Sequence, residues 1–514
     1  MKLKTFFYQL IGVLLLVAAA AVFLASFFTT IYYDMHVDVD QPLYKKETSI
    51  HLVISMIVVF ALLFFLHAKK LFESSKVIVL SLCFCVAYCL LLILSIKPLP
   101  VDDSKLIDDV LARFAQGDYA SLTEPGGYLY IWPFQLGYVL FGQIMDAIFG
   151  HGNYFAWDIA QVISILLTVY LLYKITWELF EDKVTSSIMA FLSMGMLFFY
   201  NYSAFIYGDI LSMAPQTLAL YLTILYVKKE RIGYAIGAAF AIGIAVVLKT
   251  NCEITLIAMI MVLVLSAFKN SSVGLPKRLL IRVAMAAFAV IVVVAMKGAV
   301  DKYYCYKAGI DEIPSGSPSV SHIAMGLQES ELEDGWYNGY NYKVFADNGY
   351  DTELTRAAAT KDLKERLSFF ADNPRTAIKF FARKFITQWA DPVCISTHNL
   401  DLVSRHVENP TALKDFLVFG TGSVGLRWIM NVFMSVCYLC VVVYLAVKIR
   451  KRDFNEQEML LLILIFGGMV FHEFWEGSSR YAMRYYVYWM PYAAFGMKVL
   501  LGMISKIRIG ASRS

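Results

Sequence analysis

Long, almost uncharged segments constrain this chain more than any other feature of its sequence. Several extend over about twenty residues, the length that an α-helix needs to cross roughly 30 Å of hydrocarbon. Of the 514 residues, 59% are hydrophobic and 17% are charged, whereas soluble domains average about 25% charged. The segments are continuously apolar and do not alternate, which excludes a transmembrane barrel. The most apolar of them are 11–28, 52–66, 77–96, 236–248, 254–268, 284–296, 433–447 and 460–470.

The sequence therefore predicts an all-α polytopic membrane protein with about eleven to thirteen transmembrane helices. Its first apolar segment, 13–28, follows Lys2 and Lys4 but lacks a clear cleavage site, so we interpret it as a retained span. The net charge of +4 is distributed over short loops and gives no indication of a nucleic-acid partner. The lipid bilayer is the partner that the composition indicates.

The distribution of Lys and Arg predicts which loops face the cytoplasm, because basic residues in short loops mark that side. They cluster at 69–76, 228–231 and 448–452. This orientation makes the protein a multi-pass component of the cell membrane. It divides the chain into N-terminal transmembrane helices (1–97), a first extracytoplasmic loop with a juxtamembrane helix (98–130), a transmembrane core (131–300), a large, partly helical extracytoplasmic loop (301–425) and C-terminal transmembrane helices (426–514).

The number of spans between the two outer loops stays open. Two apolar segments lie between Tyr130 and the basic end 173–183, where the orientation requires an odd number. Either 133–150 is interfacial or re-entrant, or 173–183 faces outward. Within the large loop, 351–389 has helical periodicity interrupted at Asn373-Pro374, which predicts two amphipathic helices.

Carboxylates are concentrated directly behind the third apolar segment, in "PLPVDDSKLIDDVLARFAQGDY" (98–119). A helix is predicted after Pro100, with an apolar stripe that places it on the membrane surface. Two interpretations of Asp102 and Asp103 remain open. They cap the helix, or one of them is a general base that removes the proton of an acceptor hydroxyl.

Charged residues recur where other spans end. Asp209 lies in "NYSAFIYGDILSMA", and Lys249 ends a span in "VLKTN". In "FHEFWEGSSRYAMRYYVYWMPY" (471–492), Arg480 and Arg484 are four apart and share a helical face, so their guanidinium groups could hold a phosphate. Glu476 and Tyr481 add polar groups beside them. The alternative for each is structural: a helix cap for Asp209, and cations that extend toward the interface for Lys249 and the arginines.

Four stretches, in this order, resemble the GT-C superfamily of membrane glycosyltransferases, which includes protein O-mannosyltransferases and lipid A aminoarabinose transferases. They are "PVDDSKLIDDVLARFAQGDY" with "YLYIWPFQLGYVLFGQIMDAIFG", then "IYGDI", "FFARKFITQWADP" and "FWEGSSRYAMRYYVYWMPY". In this family the first outer loop carries the catalytic aspartate, a role that falls on Asp102 or Asp103. We favour Asp103, which directly precedes the predicted helix. The chain departs from the simplest family pattern because two additional spans precede the acidic loop.

The resemblance implies transfer of a sugar from a polyprenyl-phosphate-linked donor to an extracytoplasmic saccharide, lipid or protein, generally with inversion. Arg480, Arg484 and Lys249 would bind the lipid phosphate, with Tyr481, Glu476 and Asp209 as further substrate-binding residues. Some members need a divalent cation and others do not, and no Asp/Glu cluster in this sequence decides between them. The alternative function is a transporter or flippase of lipid-linked saccharides, which would be expected to show internal pseudo-symmetry.

Overall fold

The computed structural model of the chain describes residues 2–35, 37–268, 274–406 and 412–511. These residues form an almost entirely helical molecule, so the predicted all-α class is confirmed. The first fifteen α-helices are α1 (Lys2–Ala25), α2 (Ser49–Ala68), α3 (Lys76–Ile96), α4 (Asp102–Ala115), α5 (Ala120–Thr123), α6 (Tyr128–Ile131), α7 (Leu136–Phe149), α8 (Tyr154–Phe180), α9 (Lys183–Ser193), α10 (Leu197–Asn201), α11 (Gly208–Leu211), α12 (Met213–Lys229), α13 (Ile232–Leu248), α14 (Glu253–Ser266) and α15 (Leu275–Ala308). The remaining ones are α16 (Ser319–Gly326), α17 (Tyr340–Asp347), α18 (Thr352–Asp372), α19 (Pro374–Trp389), α20 (Ser396–Ser404), α21 (Ala412–Lys414), α22 (Thr421–Lys451), α23 (Glu456–Phe474), α24 (Ser479–Val487) and α25 (Met490–Ala511).

Short elements connect several of these helices. Within the described ranges, β1 (Thr29–Tyr32) and β2 (Leu43–Lys46) form one antiparallel pair between α1 and α2, with Thr29 opposite Lys46. Single helical turns occupy Leu71–Glu73, Pro133–Gln135, Tyr202–Ala204, Thr250–Cys252 and Asp415–Phe419. The strand pair is short and peripheral, and the helices alone form the bundle.

Fewer helices are long enough to cross a membrane than the sequence predicts. In the described part of the chain, eight helices have the length and apolarity of a span, or up to ten if each of two bent helix pairs is one span. The expected eleven to thirteen exceeds this count. Two shorter apolar helices, Ile232–Leu248 and Thr250–Ser266, account for the difference, and Ile232–Leu248 with its 17 residues is at the lower limit for crossing a bilayer.

Helix lengths also favour one answer to the open question between the outer loops. Helix α7 has 14 residues, about 21 Å at 1.5 Å per residue, which is too short to span. Helix α8 has 27 residues and is long and apolar enough to span. A single span therefore lies between α6 and the end of α8, as an interfacial or re-entrant position of 133–150 requires.

The spans divide into a buried centre and a lipid-exposed periphery. Of the most apolar window in Gly208–Lys229, 78% of the residues are buried, against 17% for Ser49–Ala68. Helices α22 and α23 belong to the buried group, with 61% each. Because the surrounding bilayer is as apolar as the side chains, peripheral helices can leave large hydrophobic residues exposed. The centre of the bundle is thus the part that can hold charged groups away from lipid.

Helix α4 rests on the protein through its apolar stripe. Ile107, Val110, Leu111 and Phe114 are buried, whereas Leu106 is 48% exposed. Leu111 reaches α7 where Gly142 leaves room, since a Cβ there would lie 2.7 Å from Leu111 Cδ1. The stripe therefore fixes the acidic start of α4 against the bundle.

A buried lysine attaches the helices of 301–425 to the same end of the bundle. Lys384 on α19 is 0% exposed and its Nζ donates to the carbonyl oxygens of Gly326, Glu473 (3.0 Å) and Trp475 (2.6 Å). Helices α18 and α19 meet at Asn373-Pro374, where the sequence predicts a break, because proline has no N–H to continue the first helix. This attachment holds the segment between α23 and α24, which carries Glu476.

Candidate active site

Asp209 and Lys249 meet because a glycine allows two backbone segments to approach closely. A Cβ at Gly208 would lie 2.7 Å from the carbonyl oxygen of Leu248, so a larger residue would separate α11 from the end of α13. The carboxylate of Asp209 is 2% exposed, and its Oδ2 lies 3.2 Å from Lys249 Nζ. The break between α13 and the turn Thr250–Cys252 directs the lysine to this carboxylate and not along a continuous helix. The result is a buried ion pair.

Arg484 lies on the inner side of this pair and is completely enclosed. Its side chain is 1% exposed, and its Nη2 is 3.4 Å from Asp209 Oδ1. The same Nη2 lies 3.1 Å from Ser212 Oγ, and Nη1 is directed to Gln216 Oε1 (3.2 Å) and Cys252 Sγ (3.2 Å). A guanidinium with this many partners is held in one orientation. Arg484 thus supports Asp209 from within the bundle.

Arg480 has a different environment, although it lies one turn earlier on α24. Its guanidinium is 5.5 Å from the ring centre of Tyr207 and 5.2 Å from that of Tyr481, and it donates to Tyr481 Oη at 3.3 Å. Among the described residues its Nε has no hydrogen-bond partner. Cations over aromatic faces are stabilised without losing all their hydrogen-bond donors. Arg480 therefore retains a donor that a substrate could use.

Glu476 completes the α24 side of the site. Tyr481 Oη donates to Glu476 Oε1 at 3.2 Å. Burial raises the pKa of Glu476 to about 7, with the Arg480 charge acting in the opposite direction. This carboxyl group therefore holds its proton more readily than an ordinary glutamate does.

Tyr207 joins the acidic loop to the cations. Its hydroxyl donates to Asp103 Oδ2 at 3.3 Å and accepts from Gln135 Nε2. Lys249 Nζ lies 4.2 Å from the centre of its ring, which also contacts Arg480. The phenol is 5% exposed. The side chain of Tyr207 is therefore in contact with one carboxylate and two cations.

Asp102 borders a cavity that Tyr207 does not line. Its side chain is exposed and lines a cavity of about 460 Å³ between α4 and α20. Desolvation raises the pKa of the Asp102 carboxyl group above its usual value, against the opposing effect of Arg480. Its φ of +49° lies in the left-handed region, which aspartate tolerates better than most residues but still at a cost of about 1–2 kcal/mol. Such a backbone outlier at a charged residue is typical of functional sites.

Neither aspartate of the doublet caps α4. The helix begins at Asp102, and no side chain accepts a hydrogen bond in the N-cap role. The hydroxyl of Ser104 instead accepts from the N–H of Val101 at 3.0 Å. The capping interpretation of Asp102 and Asp103 therefore has no support in the geometry.

The structure brings the residues singled out from the sequence to one end of the bundle, with two distinctions. Arg480 and Arg484 share a helical face but not an environment, because Arg484 is enclosed by protein partners. Asp102 and Asp103 are adjacent in sequence but face different spaces. Sequence reasoning missed Tyr207, Gln135 and Gln216, as well as Asp40, whose charge influences both Asp102 and Glu476. Only Tyr207 had a signal, since it lies two residues before Asp209 in "IYGDI".

The donor set for a divalent cation is incomplete at this site. Within the described ranges, no group of three or more His, Cys, Asp or Glu side chains is arranged to hold a metal ion. The residues present thus do not fit a resident cation with several protein ligands.

The fold and this site define a polytopic α-helical membrane protein with an array of cations and carboxylates at one end of its bundle. Residues 136–296 match the family model described as dolichyl-phosphate-mannose-protein mannosyltransferase. This match covers less than half of the chain and supports its resemblance to GT-C glycosyltransferases. The matched segment contains Tyr207, Asp209 and Lys249.

Two solved structures are similar to the chain at low identity. A crystal structure of ArnT from Cupriavidus metallidurans bound to undecaprenyl phosphate is 13% identical, with 82% of this chain and 78% of that chain covered, at a TM-score of 0.32. The apo form of ArnT is 14% identical, with 81% and 76% covered, at a TM-score of 0.29. No curated protein matches this chain.

Proposed function

We propose that the protein is an integral membrane glycosyltransferase that moves a sugar from a polyprenyl-phosphate-linked donor to an extracytoplasmic acceptor. The observation that carries this proposal is the arrangement around Tyr207, where Asp103, Lys249 and Arg480 surround one aromatic ring. Transfer from a lipid phosphate needs a base for the acceptor and cations for the leaving group, and this end of the bundle contains both. The match of 136–296 to a mannosyltransferase family supports the same class of reaction.

Lys249 and Arg480 are the proposed phosphate site. The side chain of Lys249 is 12% exposed, and Arg480 is partly exposed and has a buried Nε without a hydrogen-bond partner in the described structure. Preorganised positive charge stabilises the negative charge that develops on a leaving phosphate. Arg484 is only 1% exposed and both of its terminal nitrogens bond to protein groups, so we assign it the role of holding Asp209, which in turn orients Lys249.

Within the aspartate doublet, we assign the proton-accepting role to Asp102. It lines an open cavity and its pKa is raised, which makes it a stronger base than an ordinary surface aspartate. Asp103 accepts the hydrogen bond of Tyr207, and we assign it to positioning that phenol and its cations. This assignment reverses the preference for Asp103 that the sequence alone suggests.

The proposed reaction is a single displacement. Asp102 removes the proton of an acceptor hydroxyl, and the oxygen of that hydroxyl attacks the anomeric carbon of the donor sugar. The bond between that carbon and the phosphate oxygen breaks, and its electron pair leaves on the phosphate beside Lys249 and Arg480. A single displacement inverts the anomeric configuration. A phosphate leaves without protonation, so no second carboxylate is needed as a general acid, in contrast to glycoside hydrolases.

Transfer by the purified protein tests this proposal. A panel of radiolabelled polyprenyl-phosphate sugars would be offered with a cell-wall polymer extract to wild type, Asp102→Asn, Asp103→Asn and Asp118→Asn. We expect Asp102→Asn to lose about 10²–10⁴ in rate, as removal of a general base does. Asp118→Asn is the matched control because this exposed residue just beyond α4 contacts only its neighbours in sequence, pairing with Arg113 and accepting from the N–H of Ala120 at 3.0 Å.

Two outcomes would contradict the proposal. If no donor transfers its label to the extract, the proposed transferase activity is contradicted. Activity that survives in both doublet variants would remove the assignment of the base. Transport of the donor across vesicles by a protein without transfer activity would instead favour the flippase alternative.

A further inference from the structure

A charged groove borders the proposed active site on the side of Asp102. It encloses about 460 Å³, within the usual size range of ligand pockets. Its walls come from α4, the start of α8 and the end of α20. The charged residues that line it are Asp38, Asp102, Lys105, Asp108, Asp109, Arg405 and His406, with Tyr154 beside them and Leu99, Pro100, Val101, Leu402 and Val403 as the apolar part.

The groove is connected to the proposed chemistry through Asp102. That carboxylate lines the groove and is also close enough to Arg480 for the guanidinium to influence its pKa. A ligand lying in the groove would therefore present its end to the same carboxylate that borders the cation cluster. In the proposed function the donor phosphate binds beside Lys249 and Arg480. An acceptor would therefore reach Asp102 from the groove.

A buried histidine adds an unused polar group next to Asp102. His398 on α20 is 0% exposed, and its Nδ1 lies 3.2 Å from the carbonyl oxygen of Asp34. Since a carbonyl only accepts, Nδ1 donates and Nε2 is left as an acceptor, which has no partner among the described residues. Buried polar groups are usually paired, so this unpaired nitrogen indicates a place for a hydroxyl or water behind the groove wall, since His398 is not among the residues that line the groove.

The charges of the groove select among acceptors. Four aspartates face one lysine and one arginine, and burial lowers the pKa of His406, which disfavours a positive charge there. Arg405 is already paired with Asp38 and with Asp401 (2.7 Å), so it offers little charge to a ligand. Asp108 accepts from Tyr154 Oη at 2.6 Å, whereas Asp109 is exposed. The groove is thus acidic, with carboxylate oxygens directed by neighbouring groups.

We propose that this groove is the acceptor subsite and takes an uncharged, hydroxyl-rich saccharide chain. This inference rests on the proposed function and narrows its acceptor class. Carboxylates accept hydrogen bonds from sugar hydroxyls, while a phosphate- or carboxylate-bearing polymer would bring like charges together at a cost. Anionic wall polymers are therefore poor acceptors, and neutral polysaccharides or neutral glycolipid headgroups are good ones.

A glycan-binding experiment tests the charge selection separately from catalysis. Full-length protein in lipid nanodiscs would be applied to an immobilised panel of neutral glycans and their carboxylated or phosphorylated counterparts. We expect wild type to retain neutral members at least about tenfold better, a difference of about 1.4 kcal/mol. Asp109→Lys should reduce that preference, because it reverses the charge at an exposed wall position outside the proposed chemistry. Asp118→Lys is the matched control, since it makes the same charge change outside the groove.

Equal or preferential retention of anionic members, or retention of no glycan, would overturn the groove proposal. So would an unchanged preference in a folded Asp109→Lys protein, with folding checked by its thermal unfolding. The same preparations would be assayed for sugar transfer. Selective retention of neutral glycans without sugar transfer would contradict the proposed function but support the saccharide site. Sugar transfer without selective retention would support the proposed function but contradict the saccharide site.

Discussion

At the scale of single residues, Tyr207 combines two roles that substitutions can separate. Its hydroxyl contacts Asp103, and its ring contacts Lys249 and Arg480. We expect Tyr207→Phe to lower kcat by about 10–100-fold, since a hydrogen bond to a charged group contributes about 1.5–3 kcal/mol. Donor KM should stay unchanged because the ring remains. Tyr207→Leu removes the ring as well and should raise donor KM.

Steady-state kinetics on both variants measures this split, with Tyr170→Phe as the control at a 43% exposed tyrosine on α8. If Tyr207 has only a structural role, the changes in kcat and KM of both variants should follow the loss of folded protein. Equal kinetics for Tyr207→Phe and wild type would show that the hydroxyl does not position the site.

Residue types and their order were predictable here, but their partners were not. The sequence predicts that Arg480 and Arg484 share a face, and they do lie one turn apart on α24. Their different roles depend on α11, α12 and the turn Thr250–Cys252, which contribute Asp209, Gln216 and Cys252 around one of them. Periodicity describes one helix at a time, so it cannot assign contacts between helices that are far apart in sequence. The doublet at 102–103 was ambiguous for the same reason.

At the scale of elements, the approach of α11 to the end of α13 has a single steric requirement that can be tested. Gly208→Ala would place a Cβ 2.7 Å from the Leu248 carbonyl oxygen. Overpacking of this kind costs about 1–3 kcal/mol. We expect a lower unfolding temperature in detergent and a loss of transfer activity, because Asp209 and Lys249 would be displaced relative to each other.

Gly233→Ala is the matched control on α13, where a Cβ would meet nothing within 4 Å. Alanine favours a helix more than glycine does, so this variant should be as stable as wild type or slightly more stable. Comparable stability and activity for the two variants would mean that the backbones at Gly208 and Leu248 are not closely packed.

Elements were predictable where one physical signal dominated. The break at Asn373-Pro374 follows from proline geometry, and the apolar stripe of α4 follows from periodicity. The sequence did not reveal what the stripe contacts: it packs on α7 and is buried in protein. The number of long spans differs from the expectation because apolarity does not determine where a helix ends, and α13 ends at Leu248 after 17 residues.

At the scale of the whole molecule, the proposed reaction requires the acidic loop and the large helical segment to face outward together. Lys384 attaches α19 to the end of α23, so both must lie on one side of the membrane. The basic end of α22 at Lys448–Lys451 predicts the opposite side for that end.

We therefore expect a membrane-impermeant maleimide to label Glu353→Cys in intact cells, and Lys451→Cys only after permeabilisation. Both positions are exposed, so a difference between them reports sidedness and not burial. A Cys305→Ser background removes the partly exposed native thiol that lies closest to the outer segment. Labelling in the reverse order would place Asp102 and the groove in the cytoplasm, where the donor would have to be used before it crosses the membrane. Labelling of both positions in intact cells would contradict the assignment of α22 as a span, because one continuous helix with one end fixed inside cannot expose both ends outside.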